Sequence, residues 1–99
     1  MLGANLITTY DKMRELGLVR SKRDYCRWLG RGKTYLRDIE FKGRDGVRIP
    51  MVTVMQLRAR LKSVANRVPS TIRMEIDSVI ASIDQGVEVA DLLYGYRRT

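Results

Sequence analysis

The sequence predicts an all-α fold of five to six short helices, and three observations carry that prediction. Apolar residues recur three and four positions apart along most of the chain, the spacing that lines one face of a helix. Hydrophobic residues make up 44% of the 99 residues but aromatics only 7%, so the core must be built from Leu, Ile, Val and Met, which suits helices better than sheets. Only two prolines, Pro50 and Pro69, interrupt the pattern.

The first helix is expected over about Asn5 to Leu16, where Leu6, Tyr10 and Met13 share a face and Gly17 follows as a terminator. A second starts at Ser21, whose hydroxyl is placed to accept a hydrogen bond from the Asp24 amide, with the acidic side chain favouring the positive end of the helix dipole. Tyr25, Cys26 and Leu29 form its apolar stripe, and Gly30-Arg31-Gly32 stops it after about two turns. Lys33 to Glu40 restarts a helix with Leu36 and Ile39 inward; Phe41 to Ile49 is a charged, glycine-containing loop. Pro50 suits the first turn of a fourth helix, buried through Val54, Leu57, Leu61 and Val64, with Arg58, Arg60 and Lys62 on a solvated face. After Pro69, Ser70 is the expected cap of a fifth helix carrying Ile72, Ile76, Val79, Ile80 and Ile83 in one stripe. Gly86 is expected to break it, with Val89, Leu92, Leu93, Tyr94 and Tyr96 continuing the apolar surface into a short last helix.

Length allows one core and no more. A single cysteine and no histidine exclude an internal disulfide and the usual zinc sets, and leave none of the common nucleophile and acid/base pairs. The reading is therefore of a non-enzyme with no cofactor or metal. No apolar run nears the ~20 residues of a membrane helix, so a cytoplasmic protein is expected. Charge is the strongest bulk signal, at a formal net of +8. Residues 1–68 hold 16 basic and 6 acidic side chains, residues 69–99 only 3 and 5. That asymmetry divides the chain into a part suited to a polyanion (1–68) and a C-terminal helical extension (69–99) suited to dimerisation or an accessory role.

Ser21 to Glu40 has the shape of a helix-turn-helix: a short capped helix, a glycine turn and a second short helix. Cys26 supplies the small residue where two helices cross steeply, and Gly30 the left-handed turn. Cys26 is thus read as inert packing rather than as a reactive thiol, and Trp28, beside the core residue Leu29, as the core margin rather than a base-stacking platform. Lys33, Thr34, Arg37 and part of Tyr35 remain outward on the second helix.

With Cys26, Leu29-Gly30, Tyr35-Leu36 and Ile39-Glu40 at these spacings, the segment resembles the lambda-repressor-like, or Cro/C1-type, helix-turn-helix DNA-binding family. Gly17-Leu18 and Pro50 match the turns that flank the motif, so the resemblance covers about residues 5–65. It implies base contacts by Lys33, Thr34, Tyr35 and Arg37, with Arg37 foremost because a guanidinium suits a two-pronged contact with guanine. It implies phosphate contact by Lys22 and makes Glu40 a structural residue paired with a base of the first helix, for which Arg14 stands nearest. Arg23, Arg31, Lys42, Arg44 and Arg48 flank the motif as further phosphate contacts. The chain departs from the family at Arg31, where an aliphatic plug is usual and an outward arginine is expected here, and at Gly32, where a capping Ser or Thr is usual.

The resulting expectation is a sequence-specific, double-stranded-DNA-binding transcriptional regulator that reads the major groove with residues 33–40. A repressor is preferred, since the chain has room for a DNA reader and a dimer surface but none for a ligand pocket. The stripe of Ile72, Ile76, Val79, Ile80 and Ile83, with Leu92 and Leu93, either completes the monomer's core or joins a homodimer; pairing is preferred because two half-sites require it. The alternative is a protein-interaction module, an anti-activator or adaptor, that reuses the helix-turn-helix fold and presents its apolar C-terminal third.

Overall fold

The computed structural model describes residues 1–41 and 47–97, with side chains to residue 93. Its first helix, α1 (Gly3–Glu15), starts two residues ahead of the expected Asn5 because the preceding chain is anchored from afar. Leu2 and Arg48 form an antiparallel bridge, the Gly3 amide donates to the Val47 carbonyl at 2.8 Å, and the Ile49 amide to the Met1 carbonyl at 2.9 Å. Gly17 ends α1 as expected: at φ +76° it lets its own amide reach the Arg14 carbonyl and the Leu18 amide reach that of Met13, satisfying two of the helix's orphan acceptors.

Helices α2 (Lys22–Trp28) and α3 (Tyr35–Phe41) follow as two short elements of seven residues each. α4 (Met51–Ala65) begins directly after Pro50, whose carbonyl accepts from the Thr53 and Val54 amides. Its last turn is closed by Arg73, whose Nε donates to the Ala65 carbonyl at 2.8 Å. α5 (Ser70–Arg97) is one helix of 28 residues. The break expected at Gly86 does not occur. A Cβ at Gly86 would lie 2.9 Å from the Asn5 amide nitrogen, so the missing side chain makes room for α1 against a continuous α5. Among the described residues the fold is all-helical with five helices, within the expected five to six, and its last is long rather than short.

One core joins all five helices. Leu6 and Met13 of α1, Tyr25 and Cys26 of α2, Leu36 of α3, Val54, Leu57 and Leu61 of α4, and Ile76 and Ile83 of α5 are all fully or nearly fully buried in it. The isoleucine stripe of α5 thus faces inward, onto α4 and α1. This corrects the assignment of Ile76, Val79, Ile80 and Ile83 to a dimer surface: each is buried within its own chain, and only Ile72, Leu92 and Leu93 of that set remain exposed. The physical reason is economy of surface. Burying four such side chains contributes on the order of 6–12 kcal/mol before the entropy of ordering α5 is counted, enough for intramolecular packing to hold the helix.

Candidate nucleic-acid interface

The α2–turn–α3 segment is built by local chemistry and then held at three points, two to the body and one between its own two helices. At its start the Ser21 Oγ accepts from the Asp24 amide at 3.2 Å, and the Asp24 carboxylate accepts from the Arg20 amide at 3.2 Å. At the end of α2, Gly30 at φ +69° donates from its amide to Arg27, and the Arg31 amide donates to the Cys26 carbonyl. This is the same two-bond glycine cap that ends α1, and it sets the angle at which the chain leaves α2.

The first fixing point is Tyr25. Its ring is fully buried, tilted against Tyr10 with centroids 5.4 Å apart, and its hydroxyl donates to the Leu6 carbonyl at 2.9 Å. Burial pushes the phenol well above its ordinary range, which keeps it a neutral donor to α1. The second is an ion pair between the Lys22 Nζ at the start of α2 and the Glu40 carboxylate in the last turn of α3, at 2.8 Å. That hydrogen bond holds the Lys22 ammonium above its usual pKa range. Glu40 is a structural residue with Lys22 as its partner, so Arg14, the partner expected from α1, is replaced by a residue that α2 itself brings beside the end of α3.

The third point is Arg31. It is exposed, as expected, and its side chain folds back across the turn. Nε and Nη2 donate to the Thr53 Oγ1 of α4 at 2.9 and 2.7 Å, and the guanidinium lies 5.2 Å from the centre of the Tyr35 ring. Thr53 is 2% exposed, so the hydroxyl that receives this pair of bonds is fixed by the core. Where an aliphatic plug was the usual residue, Arg31 instead works from the surface, tying the turn to α4 with its fork and covering Tyr35 with its face.

What this frame presents is the turn from Lys33 to Arg37. Gly32 offers no capping side chain, and α3 begins at Tyr35, two residues later than expected, with the Tyr35 amide bonded to the Gly32 carbonyl. Lys33 and Thr34 lie in the turn ahead of the helix and are exposed, as is Arg37 one turn further on. Tyr35 is half-buried beneath Arg31. The Thr34 hydroxyl stands 3.5 Å from the Asp38 carboxylate, and no ion pair among the described residues engages Lys33 or Arg37.

The other sequence-predicted contacts scatter. Arg23 is exposed on α2. Lys22 and Arg31 are engaged as described. Arg48 is half-buried and paired with Asp91 of α5, which draws it away from the role of an unpaired phosphate contact. Lys42 and Arg44 lie outside the described residues. Arg58, read as solvated, instead forms a two-pronged ion pair with Asp84 of α5, Nε to Oδ1 at 2.8 Å and Nη2 to Oδ2 at 3.0 Å. The hydrogen bond from Arg58 holds the Asp84 carboxyl below its usual range. Cys26 is fully buried and Trp28 half-buried against the core, as their neighbours imply. Sequence reasoning passed over Arg20 and Arg27, which line a shallow depression with Ser21, Arg23 and Asp24 on the flank of α2; their spacing with Arg23, at three and four residues, was the available signal.

Carboxylates of α5 neutralise Arg48 and Arg58, while Arg60 of α4 and Arg67 have no ion-pair partner among the described residues. On the α2/α3 side, Arg20, Arg23, Arg27 and Arg37 have no ion-pair partner among the described residues. The molecule is thus an all-helical domain with a rigidly braced, cationic α2–α3 face. Residues 6–88 match the model of a family described as a family of unknown function (DUF6626), and the chain belongs to that family. No curated protein and no solved structure matches it.

Proposed function

We propose that the protein is a sequence-specific, double-stranded-DNA-binding transcriptional regulator, a repressor of the Cro/C1-like helix-turn-helix kind, which inserts the turn from Lys33 to Arg37 and the helix behind it into the major groove. The observation that carries this reading is the combination of exposure and rigidity at that turn. Lys33, Thr34 and Arg37 are exposed, with no ion-pair partner for either cation among the described residues, on a segment braced from below by Arg31 and from the side by the Lys22–Glu40 pair. Such bracing is what base readout needs, since a bidentate contact tolerates little angular freedom.

Occlusion of a promoter would suffice for repression and requires no ligand pocket. Action in the cytoplasm fits this role, and among the described residues no helix is long and apolar enough to cross a membrane. Binding as a homodimer to two half-sites about 34 Å apart belongs to the same proposal. Of the residues expected to pair, Ile72, Leu92 and Leu93 are the ones left exposed for such a contact, not the buried stripe. Their exposure also supports the second reading, a protein-interaction module.

Selection of duplexes from a random library at two salt concentrations separates the two readings. A regulator yields an enriched motif, bound with an affinity that falls steeply with salt; an interaction module yields no enrichment and no duplex binding at physiological ionic strength.

A further inference from the structure

The outer sides of α4 and α5 form a two-helix layer whose pattern the fold of one chain does not use. Val54, Leu57 and Leu61 mark the buried side of α4, and Ile76, Ile80 and Ile83 that of α5. On the opposite sides, exposed residues step by threes and fours: Val52, Met55, Ala59 and Lys62 along α4, and Asp77, Ala81, Glu88 and Leu92 along α5. Val52, Met55 and Leu92 are 72%, 52% and 60% exposed and lie toward one end, where Met51, Met55 and Val87 line a shallow groove between the helices. Apolar residues scattered singly over a surface are ordinary, but a group of them set along a groove marks a contact face. Charge divides this face lengthwise, with Asp77, Asp84 and Glu88 along α5 and Arg58 and Lys62 along α4. The helices run antiparallel, in a register fixed by Arg58 on Asp84, the Ala65 carbonyl on Arg73, and Arg48 on Asp91. That register sets Ala59 level with Ala81 and Lys62 level, within a residue, with Asp77.

We propose that this outer α4/α5 face docks a second copy of the chain about a two-fold axis running along the seam between the helices, so that α4 of each copy lies across α5 of the other. Charge selects the axis. For two identical faces to meet, the axis lies in the plane of contact, and it runs either across the seam or along it. Across the seam, α5 would lie on α5 and bring the acidic row of Asp77, Asp84 and Glu88 against its own copy, a like-charge juxtaposition that disfavours association. Along the seam, the helices exchange partners: Lys62 meets the partner's Asp77, Ala59 the partner's Ala81, and Val52 and Met55 come beside the partner's Leu92. The two alanines let the helix backbones approach closely at the middle of the contact. Ile72 and Leu93 stay outside it. Ile72 precedes Ile76 by one turn on the core-facing side of α5, and Leu93 follows Gly86 by two turns on the side that faces α1. This pairing does not rest on the reading of the protein as a DNA binder, although it would supply the dimer that two half-sites require.

The test reads mass and geometry separately, on the full chain without DNA. By light scattering, the mass should rise from the 11.4 kDa of one chain to twice that value as the concentration is raised through the micromolar range. Val52→Glu and Leu92→Glu, both at exposed positions, should hold the mass at one chain while keeping parental circular dichroism, whereas Leu93→Glu should pair as the parent does. Cross-linking reads the axis, and Cys26 is fully buried and does not interfere. When chains carrying Ala59→Cys are mixed with chains carrying Ala81→Cys under oxidation, the disulfide should join one variant to the other, and neither variant alone should link to itself. A parent that stays a single chain throughout, a pair that survives both glutamates, or either cysteine variant linking to itself in preference to the other would overturn the proposal. Should a glutamate variant unfold, the mixed cross-link decides alone. A pair with these properties that binds no duplex would uphold the interface and remove the regulator reading, so the two stand or fall separately.

Discussion

Thr53 and Arg31 show how a single hydroxyl can set the geometry of a surface. A buried threonine on α4 accepts both prongs of an arginine that in turn roofs Tyr35, so the first residue of α3 is located by a chain of contacts that begins in the core. Thr53→Val keeps the shape and deletes the acceptor. We expect a loss of about 1 kcal/mol in stability by denaturant titration, near the usual net worth of a hydrogen bond because the freed guanidinium can return to water. We expect a larger fractional loss in duplex affinity with an unchanged salt slope, since no phosphate contact is removed. Arg37→Ala should behave differently: parental stability, about 1–3 kcal/mol lost on the selected site, and relaxed preference at one base pair, read by competition binding against a panel of single-base variants. Equal losses on every sequence would show that Arg37 meets phosphate rather than a base. At this scale the sequence was half legible. The Ser21 cap, the left-handed Gly30 and the buried Cys26 follow from local chemistry and could be read directly. The partners of Lys22, Arg31 and Arg58 could not, because each is chosen by how two helices approach and long cationic side chains reach several candidates.

Among the elements, the helices whose ends are written in their own residues were read closely. α1 and α2 end at glycines with positive φ, and α4 begins after its proline. Gly30→Ala should therefore be costly: its Cβ meets Gln56 only at ordinary contact distances, but the left-handed backbone adds about 1–2 kcal/mol of strain, measurable as a lowered denaturation midpoint. Gly86 was misread because a glycine inside an apolar stripe signals either an end or a close approach, and only the packing of α1 decides between them. Its Cβ would press on the end of the Asn5 side chain, which can turn aside, so Gly86→Ala is expected to stay within about 1 kcal/mol of the parent, the gain in helix propensity offsetting the displaced amide. Gly86→Leu cannot be accommodated that way and should lose about 1–3 kcal/mol by forcing α1 off α5. The direction in which the isoleucine stripe of α5 faces was equally beyond a one-dimensional reading: periodicity reveals an apolar face but not which surface covers it.

For the whole molecule, the separation of charge bears first on acid stability. Asp84 has its pKa lowered in the folded state by Arg58, so its contribution is fully present above the unfolded value of about 3.9 and is lost as the pH falls through the lower folded value. Thermal melts between pH 6 and 2 should show a shallower acid limb for Asp84→Asn than for the parent, a small difference because the pair is solvent-exposed. A second consequence follows from where the neutralised and the bare guanidinium groups sit. With α5 carrying five carboxylates against two arginines and the rest of the chain a large excess of cations, the protein is a lopsided electrical object whose braced α2–α3 face belongs to the positive part. In the field of any polyanion such a body is turned by torque while still a Debye length or more away, so encounters begin with the right side forward, and the rate of capture, ahead of the lifetime of the complex, is where dilute buffer should show its largest effect.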